Sequence, residues 1–225
     1  MKRSEINRII INAKEFMAGK CFILPPWAYW SPAEWQNNLS ATTEIRNNFL
    51  GWDITDFGSG DFRNCGLFLF TIRNGKMGAD HKPYAEKIMI VEENQETPMH
   101  FHWSKMEDII NRGGGNLVME LYNSTPEDLP DTTPVHFKTD GIVRTVPAGG
   151  KVILKPGESI TLEPGMYHRF YGEADKGKVL VGEVSAVNND ATYNCFLEEV
   201  GRFPVIEEDE VPLHLLVGDY EKFLI

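Results

Sequence analysis

The stretch HFHWSKMED, His100 to Asp108, gathers two imidazoles, an ammonium and two carboxylates. In a β-strand, residues i and i+2 face the same side. His100 and His102 would therefore point into one space, which suits a shared metal ion; two half-exposed strand histidines fit the same spacing. If the chain bends after Trp103, Glu107 returns towards the imidazoles, and a GGG turn follows with Gly114. EPGMYHRFYG adds His168, three residues after a Pro-Gly turn at the start of an aromatic strand. Three imidazoles and one carboxylate suit Zn²⁺, Mn²⁺, Fe²⁺, Co²⁺ or Ni²⁺ and are too nitrogen-rich for Ca²⁺ or Mg²⁺. His81, His136 and His214 lack such company and read as surface or structural residues.

Positioning these groups requires a sheet. CGLFLFTIR, AEKIMIVEEN, TPMHFHW, NLVMELYN, VHFK, IVRTV, KVILK, SITLE, YHRFYG and KVLVGEVSAV are β-prone runs separated by Gly, Pro, Asn and Asp. Many short strands without helical periodicity between them indicate an antiparallel sandwich or barrel. STPEDLPDTTP, Ser124 to Pro134, reads as an exposed loop between strands. Ahead of them, Ile6, Ile9, Ile10, Ala13, Phe16 and Met17 mark one helical stripe behind a Ser4 cap. SPAE starts a second helix, with Ser31 as N-cap, Pro32 at the first position and Glu34 completing a capping box. Between them LPPWAYW is too rich in Pro and Trp to be regular, and it packs as a cover or serves as a rigid connection.

The 225 residues carry 22 Lys+Arg against 33 Asp+Glu, a net charge of −11. That balance speaks against nucleic acid and against an anionic membrane, both of which need basic surface. Cys21, Cys65 and Cys195 are too sparse for a disulfide framework or a thiolate zinc site, and each is expected as a buried small apolar residue. Asn12, Lys14 and Glu15 interrupt the first apolar stretch, which argues against a signal peptide, so a cytoplasmic setting is expected.

HFHWSKMEDIINRGGG matches the first cupin motif, HxH, four residues, Glu, six residues, Gly. PGMYH matches the core of the second, with Pro164 displaced by one and Gly172 standing where Asn is common. Together with MKRSEINRII, LPPWAYW, WDITDFGSGDF, GLFLFTIRNG and GEVSAVNND followed by NCF, the chain resembles the D-lyxose isomerase family over nearly its whole length. The resemblance implies a mainly β fold, a cupin double-stranded β-helix (jelly-roll barrel) with N-terminal helices and a short C-terminal extension. It would be one domain over 1–225: a helical cover at 1–50, the barrel at roughly 52–190 and the extension at 191–225. It further implies interconversion of D-lyxose with D-xylulose, and more slowly of D-mannose with D-fructose. One divalent ion per subunit, Mn²⁺ foremost, would be held by His100, His102, Glu107 and His168, in a homodimer acting on a free monosaccharide.

Aldose–ketose exchange moves a proton between two neighbouring carbons, so it needs a base or a hydride shift. Glu183 is the candidate base, because a charge within KVLVGEVSAV needs a reason and Gly182 allows close approach; a solvent-facing Glu is the alternative. Lys105 and Lys87 are candidates for handling the oxygens, although lysines also snorkel to water. Asp190 could bind a sugar hydroxyl or make a turn. Trp103 and Tyr167 could stack on the sugar or pack in the core. An Fe²⁺ cupin dioxygenase shares the ligand set, but the charged trio favours acid–base work. A non-catalytic sugar- or metal-binding cupin would need no base. For a phosphorylated sugar, Arg144 and Arg169 alone make no cradle.

Overall fold

The structure is a computed structural model and describes residues 1–76, 78–79, 81–187, 194–201 and 204–224. Two antiparallel sheets face each other. The larger runs in the order β1 (Gly51–Thr55), β2 (Leu67–Arg73), β3 (Tyr84–Val91), β12 (Val179–Ala186), β5 (Glu107–Gly114), β10 (Ser159–Leu162), β7 (Val135–Thr139), β8 (Ile142–Val146). The smaller runs β13 (Asn194–Phe196), β4 (His100–His102), β11 (Tyr167–Gly172), β6 (Leu117–Tyr122), β9 (Gly150–Leu154). From β3 onward the chain passes from one sheet to the other at almost every step, the β7–β8 hairpin excepted. This is the double-sheet jelly roll expected from the strand pattern.

The large sheet is covered on both faces, which is why its central strands read as unbroken apolar runs. Phe68, Phe70, Ile88, Ile90 and Leu180 face outward, against Ile6, Ile10, Ala13 and Met17 of α1 (Arg3–Gly19). Leu69, Met89, Val91 and Val181 face inward and join Leu117, Met119, Leu121 and Phe170 of the small sheet. Each such side chain contributes about 1.5–3 kcal/mol by leaving water. The WAYW segment packs on the outer face too: Trp27 lies against Phe70, and the Trp52 indole donates to Ala28 O at 2.8 Å. It covers the sheet and does not close over the space between the sheets. α2 (Pro32–Asn37) has its capping box on Ser31 and Glu34, and α3 (Thr43–Asn47) leads into β1. Among the described residues no helix is long and apolar enough to cross a membrane.

Several expectations need correction. α1 starts at Arg3 with Lys2 at its N-cap, not Ser4. The chain's C-terminal segment satisfies the helix's first donors instead: Arg3 N donates to Glu207 O, and Ser4 N to Asp209 Oδ1 at 2.9 Å. EDIINRGG is a strand, not a bend running into a turn, because β12 and β10 pair with it on either side. Its end does require glycine: Gly114 has φ +100, and a Cβ there would meet Lys178 O at 2.2 Å. The cysteines are not buried apolar residues, since Cys21 is exposed and Cys65 and Cys195 are half-buried. Ser124–Pro134 runs between strands as expected, pinched by a bridge between Ser124 and Pro130.

Arg3 ties the two ends of the chain together. Its guanidinium is fully buried and donates to Asp219 at 2.9 and 2.8 Å and to Glu208 at 2.9 Å twice. Burial works against the cation, but the two carboxylates outweigh it and raise its pKa. Arg3→Leu would leave Asp219 buried without its counter-charge and is expected to cost about 3–5 kcal/mol in a urea titration. The bonds from Arg3, then those from Lys222, hold the Glu208 carboxyl down from 4.5 to about 2. A carboxyl held low when folded stabilises the fold above its ordinary value and loses that contribution as pH falls. The Glu208 tie is therefore complete above 4.5 and disappears towards about 2. Melting temperatures of the unaltered chain and of Glu208→Gln should converge across this window; parallel curves would mean that Glu208 carries no acid sensitivity.

Candidate metal centre

The two sheets contribute different halves of one site. On the small sheet, His100 and His102 share the inner face of β4. His168 of β11 is directly opposite His100, and Asn194 of β13 is directly opposite His102. On the large sheet, the bend Ser104–Met106 is fixed by a bond from Ala186 N to Met106 O at 3.0 Å, and it turns Glu107 back as the first residue of β5. Glu183 lies between Lys87 of β3 and Ile109 of β5 in register, with Ser185 opposite Glu107. The strand periods thus aim three imidazoles from one side and two carboxylates from the other.

Ring nitrogens of His100, His102 and His168 lie within 4.8 Å of one another. Their Nδ1 atoms are all engaged: His100 with Pro98 O at 2.9 Å, His168 with Met166 O at 3.0 Å and His102 with Asn194 Oδ1 at 2.8 Å. These oxygens accept, so each Nδ1 carries the hydrogen and each neutral ring keeps its Nε2 lone pair for a ligand. Burial, then the neighbouring imidazoles, holds His100 well below its ordinary pKa, and burial likewise lowers His102. Glu107 Oε1 faces His102 Nε2 at 3.1 Å and His168 Nε2 at 3.2 Å, and His168 Nε2 is buried without a hydrogen-bond partner. Lone pairs opposed at that distance repel unless a cation lies between them. The spacing fits neighbouring ligands on one ion with bonds of about 2.0–2.2 Å. The donor set and its protonation therefore fit a divalent transition metal.

Lys105 links this cluster to a second carboxylate. Its buried ammonium lies 2.6 Å from Glu107 Oε2 and donates to Glu183 Oε1 at 3.1 Å. Burial pushes the Glu107 pKa up, but Lys105 and then His102 outweigh it and hold Glu107 ionised, well below the usual carboxylate range. Glu183 Oε1 also takes the Ser185 hydroxyl at 3.1 Å and faces Lys87 at 3.4 Å. These groups border a cavity of about 360 Å³ whose walls include Asp53, Thr55, Phe57, Met89 and Phe196. That volume suits a small polar molecule.

Of the residues singled out from sequence, His100, His102, Glu107, His168, Lys105, Lys87 and Glu183 meet here. Tyr167 does not: it adjoins His168 and so faces away, with its hydroxyl donating to Asp128 O at 2.6 Å. Trp103 is half exposed and packs edge-on to Phe101, away from the cavity. Asp190 lies outside the described residues. Sequence reasoning missed Asn194, Ser185, Phe57 and Phe196. For Ser185 the signal existed, since it shares the inward face of Glu183 two residues on; the other three lie on a three-residue strand or in a loop.

A family model described as D-lyxose isomerase matches residues 1–220. A D-lyxose/D-mannose isomerase of Serratia proteamaculans is 49% identical over 227 residues, covering the whole of both chains. One of Escherichia coli O157:H7 is 47% identical, covering 99% of this chain and all of that one. Among solved structures, the L-ribose isomerase of Cellulomonas parahominis with L-ribose aligns with a TM-score of 0.61 at 16% identity, over 92% of this chain and 98% of that one. That likeness shows the cupin fold.

Asn194 fixes His102 through Nδ1, and loss of such an outer partner typically lowers metal affinity about 10–100-fold. Asn194→Ala is expected to do so in a calorimetric titration with Mn²⁺, with an unchanged circular dichroism spectrum. Unaltered affinity would detach Asn194 from the centre.

Proposed function

The chain belongs to the D-lyxose isomerase family, and we propose that this aldose–ketose isomerase interconverts D-lyxose with D-xylulose and, more slowly, D-mannose with D-fructose, on one divalent ion per subunit. What carries the reading is one continuous line of contacts. Glu107 faces the imidazoles with one oxygen and holds Lys105 with the other, and Lys105 in turn holds Glu183. Ligand cluster and proton-handling groups therefore share a single ammonium.

His100, His102, Glu107 and His168 are the residues that would hold the ion. When bound, it would polarise the carbonyl and hold the two neighbouring sugar oxygens. Glu183 is the base: its carboxylate takes the hydrogen from C2 of the aldose as a proton and returns it to C1, through a cis-enediol. One C–H bond breaks and one forms, and the carbonyl moves from C1 to C2 with no outside oxidant. Lys105, Lys87 and Ser185 all reach Oε1 of Glu183, which fixes the carboxylate's orientation and leaves Oε2 as the oxygen that meets the carbon-bound proton. The two ammonium groups stand ready to follow the hydroxyl proton between O2 and O1. Mn²⁺ as the ion, a homodimer as the assembly and the cytoplasm as the setting belong to the same proposal, supported by the family resemblance alone.

Protein stripped with a chelator is expected to convert D-lyxose only after Mn²⁺ is restored, and in D₂O to place deuterium on carbon in D-xylulose. Failure on both lyxose and mannose with several metals would overturn the reading; turnover without deuterium would remove the enediol. Glu183→Gln should lower kcat by about 10²–10⁴-fold at unchanged metal content, whereas a binding module would retain sugar affinity with no turnover to lose.

A further inference from the structure

The cavity has two unlike ends. Beyond the charged cluster, its floor is Leu67, Leu69 and Met89, and Phe57 and Phe196 stand over it. The Phe196 ring lies at 5.2 Å and 31° to the His100 imidazole, and Phe57 meets Phe196 edge-on at 6.1 Å. Moving away from the imidazoles, Phe196 therefore comes first and Phe57 second. Both rings are half-buried, and neither belongs to the three apolar cores.

Phe57 also has a backbone that a bulky side chain seldom adopts, with φ +52. Such conformations persist only where the surroundings over-determine them, and they concentrate at ligand sites. Here Phe57 N donates to Thr55 Oγ1 at 2.9 Å, and Phe57 O accepts from Gly201 N at 2.8 Å. Beside that bond the backbones of Gly58 and Gly201 pass so closely that a Cβ on Gly58 would come 2.9 Å from Gly201 Cα. A glycine at position 57 would adopt this turn without strain. The phenylalanine instead brings a ring into the cavity wall.

We propose that Phe57, backed by Phe196, is a specificity-determining wall that meets the far end of the bound sugar and sets the preference for five-carbon over six-carbon chains. The inference rests on the isomerase reading above. With C1 and C2 held at the charged end, the tail of the open-chain sugar runs past Phe196 to Phe57, and a sixth carbon needs the space that the Phe57 ring fills. Pocket fits of about one carbon are worth roughly 10–200-fold in kcat/KM.

The test is the ratio of kcat/KM for D-mannose to that for D-lyxose, measured on one preparation of each variant so that folding and metal loading cancel. Phe57→Ala keeps a side chain on the same turn and should raise the ratio at least about 10-fold. Phe57→Leu, closer in bulk, should raise it less, and Phe57→Trp should lower it. If the ratio in Phe57→Ala and Phe57→Leu stays within about twofold of the unaltered chain, the wall is overturned while the isomerase reading stands. If the unaltered chain turns over neither sugar, the isomerase reading fails first and the wall falls with it.

Discussion

Glu107 is the charge on which the site's arrangement depends. It is buried between two sheets, and a buried carboxylate is tolerated only when it is paired and hydrogen-bonded. One of its oxygens is turned to the imidazoles of the small sheet, and the other to Lys105. Lys105 is itself buried and so needs Glu183, which in turn takes Lys87 and Ser185. The four charged groups form an internally neutral set, two carboxylates against two ammonium groups. Each can stay inside only because its neighbour does. Removing one therefore upsets the rest by more than its own contacts, as is general for coupled buried networks.

Such a set must be held by a rigid frame, and the frame is overbuilt on the side away from the site. The strands that carry Lys87 and Glu183 each have hydrogen-bonded neighbours on both edges, and their outward residues are locked under α1. α1 in turn is anchored at its first turn by Arg3 to Glu208 and Asp219, from the other end of the chain. A residue 216 positions away thus helps to fix the sheet on which the carboxylates stand. The WAYW segment belongs to this outer cover.

The period of two in a β-strand made much of this legible. It put His100 beside His102 and predicted a polar inner face around Glu183, and the spacing to Glu107 and His168 completed the set. The same period also excludes the immediate neighbours of the ligands. Trp103 and Tyr167 were read as stacking residues because they flank histidines in sequence, yet a residue next to an inward one faces outward. Other features leave no periodic trace. β13 is three residues long, so nothing in NCF announces that Asn194 will stand opposite His102. β5 was hidden because Glu-Asp-Ile-Ile-Asn-Arg alternates poorly and ends in glycines, although two neighbouring strands make it a strand. Nor does any residue type signal the backbone of Phe57, where a phenylalanine occupies a conformation that the sequence would assign to Gly or Asn.

These two kinds of position differ in what can be changed. Lys87 and Glu183 stand within strands paired on both sides, and Glu107 at the head of one, where a shift of one residue would turn each to the opposite face. Phe57 lies in a loop and Phe196 ends an edge strand, so their side chains can change without moving a ladder that carries a charge. Loops on a rigid scaffold commonly carry recognition for this reason. Here the division has a chemical sense as well. Proton transfer between two carbons is common to every aldose–ketose pair and demands fixed distances, whereas the length of the sugar beyond those carbons varies from one substrate to the next. A cavity whose charged end is built from strands and whose aromatic end is built from a loop and an edge can keep the first constant while the second is retuned.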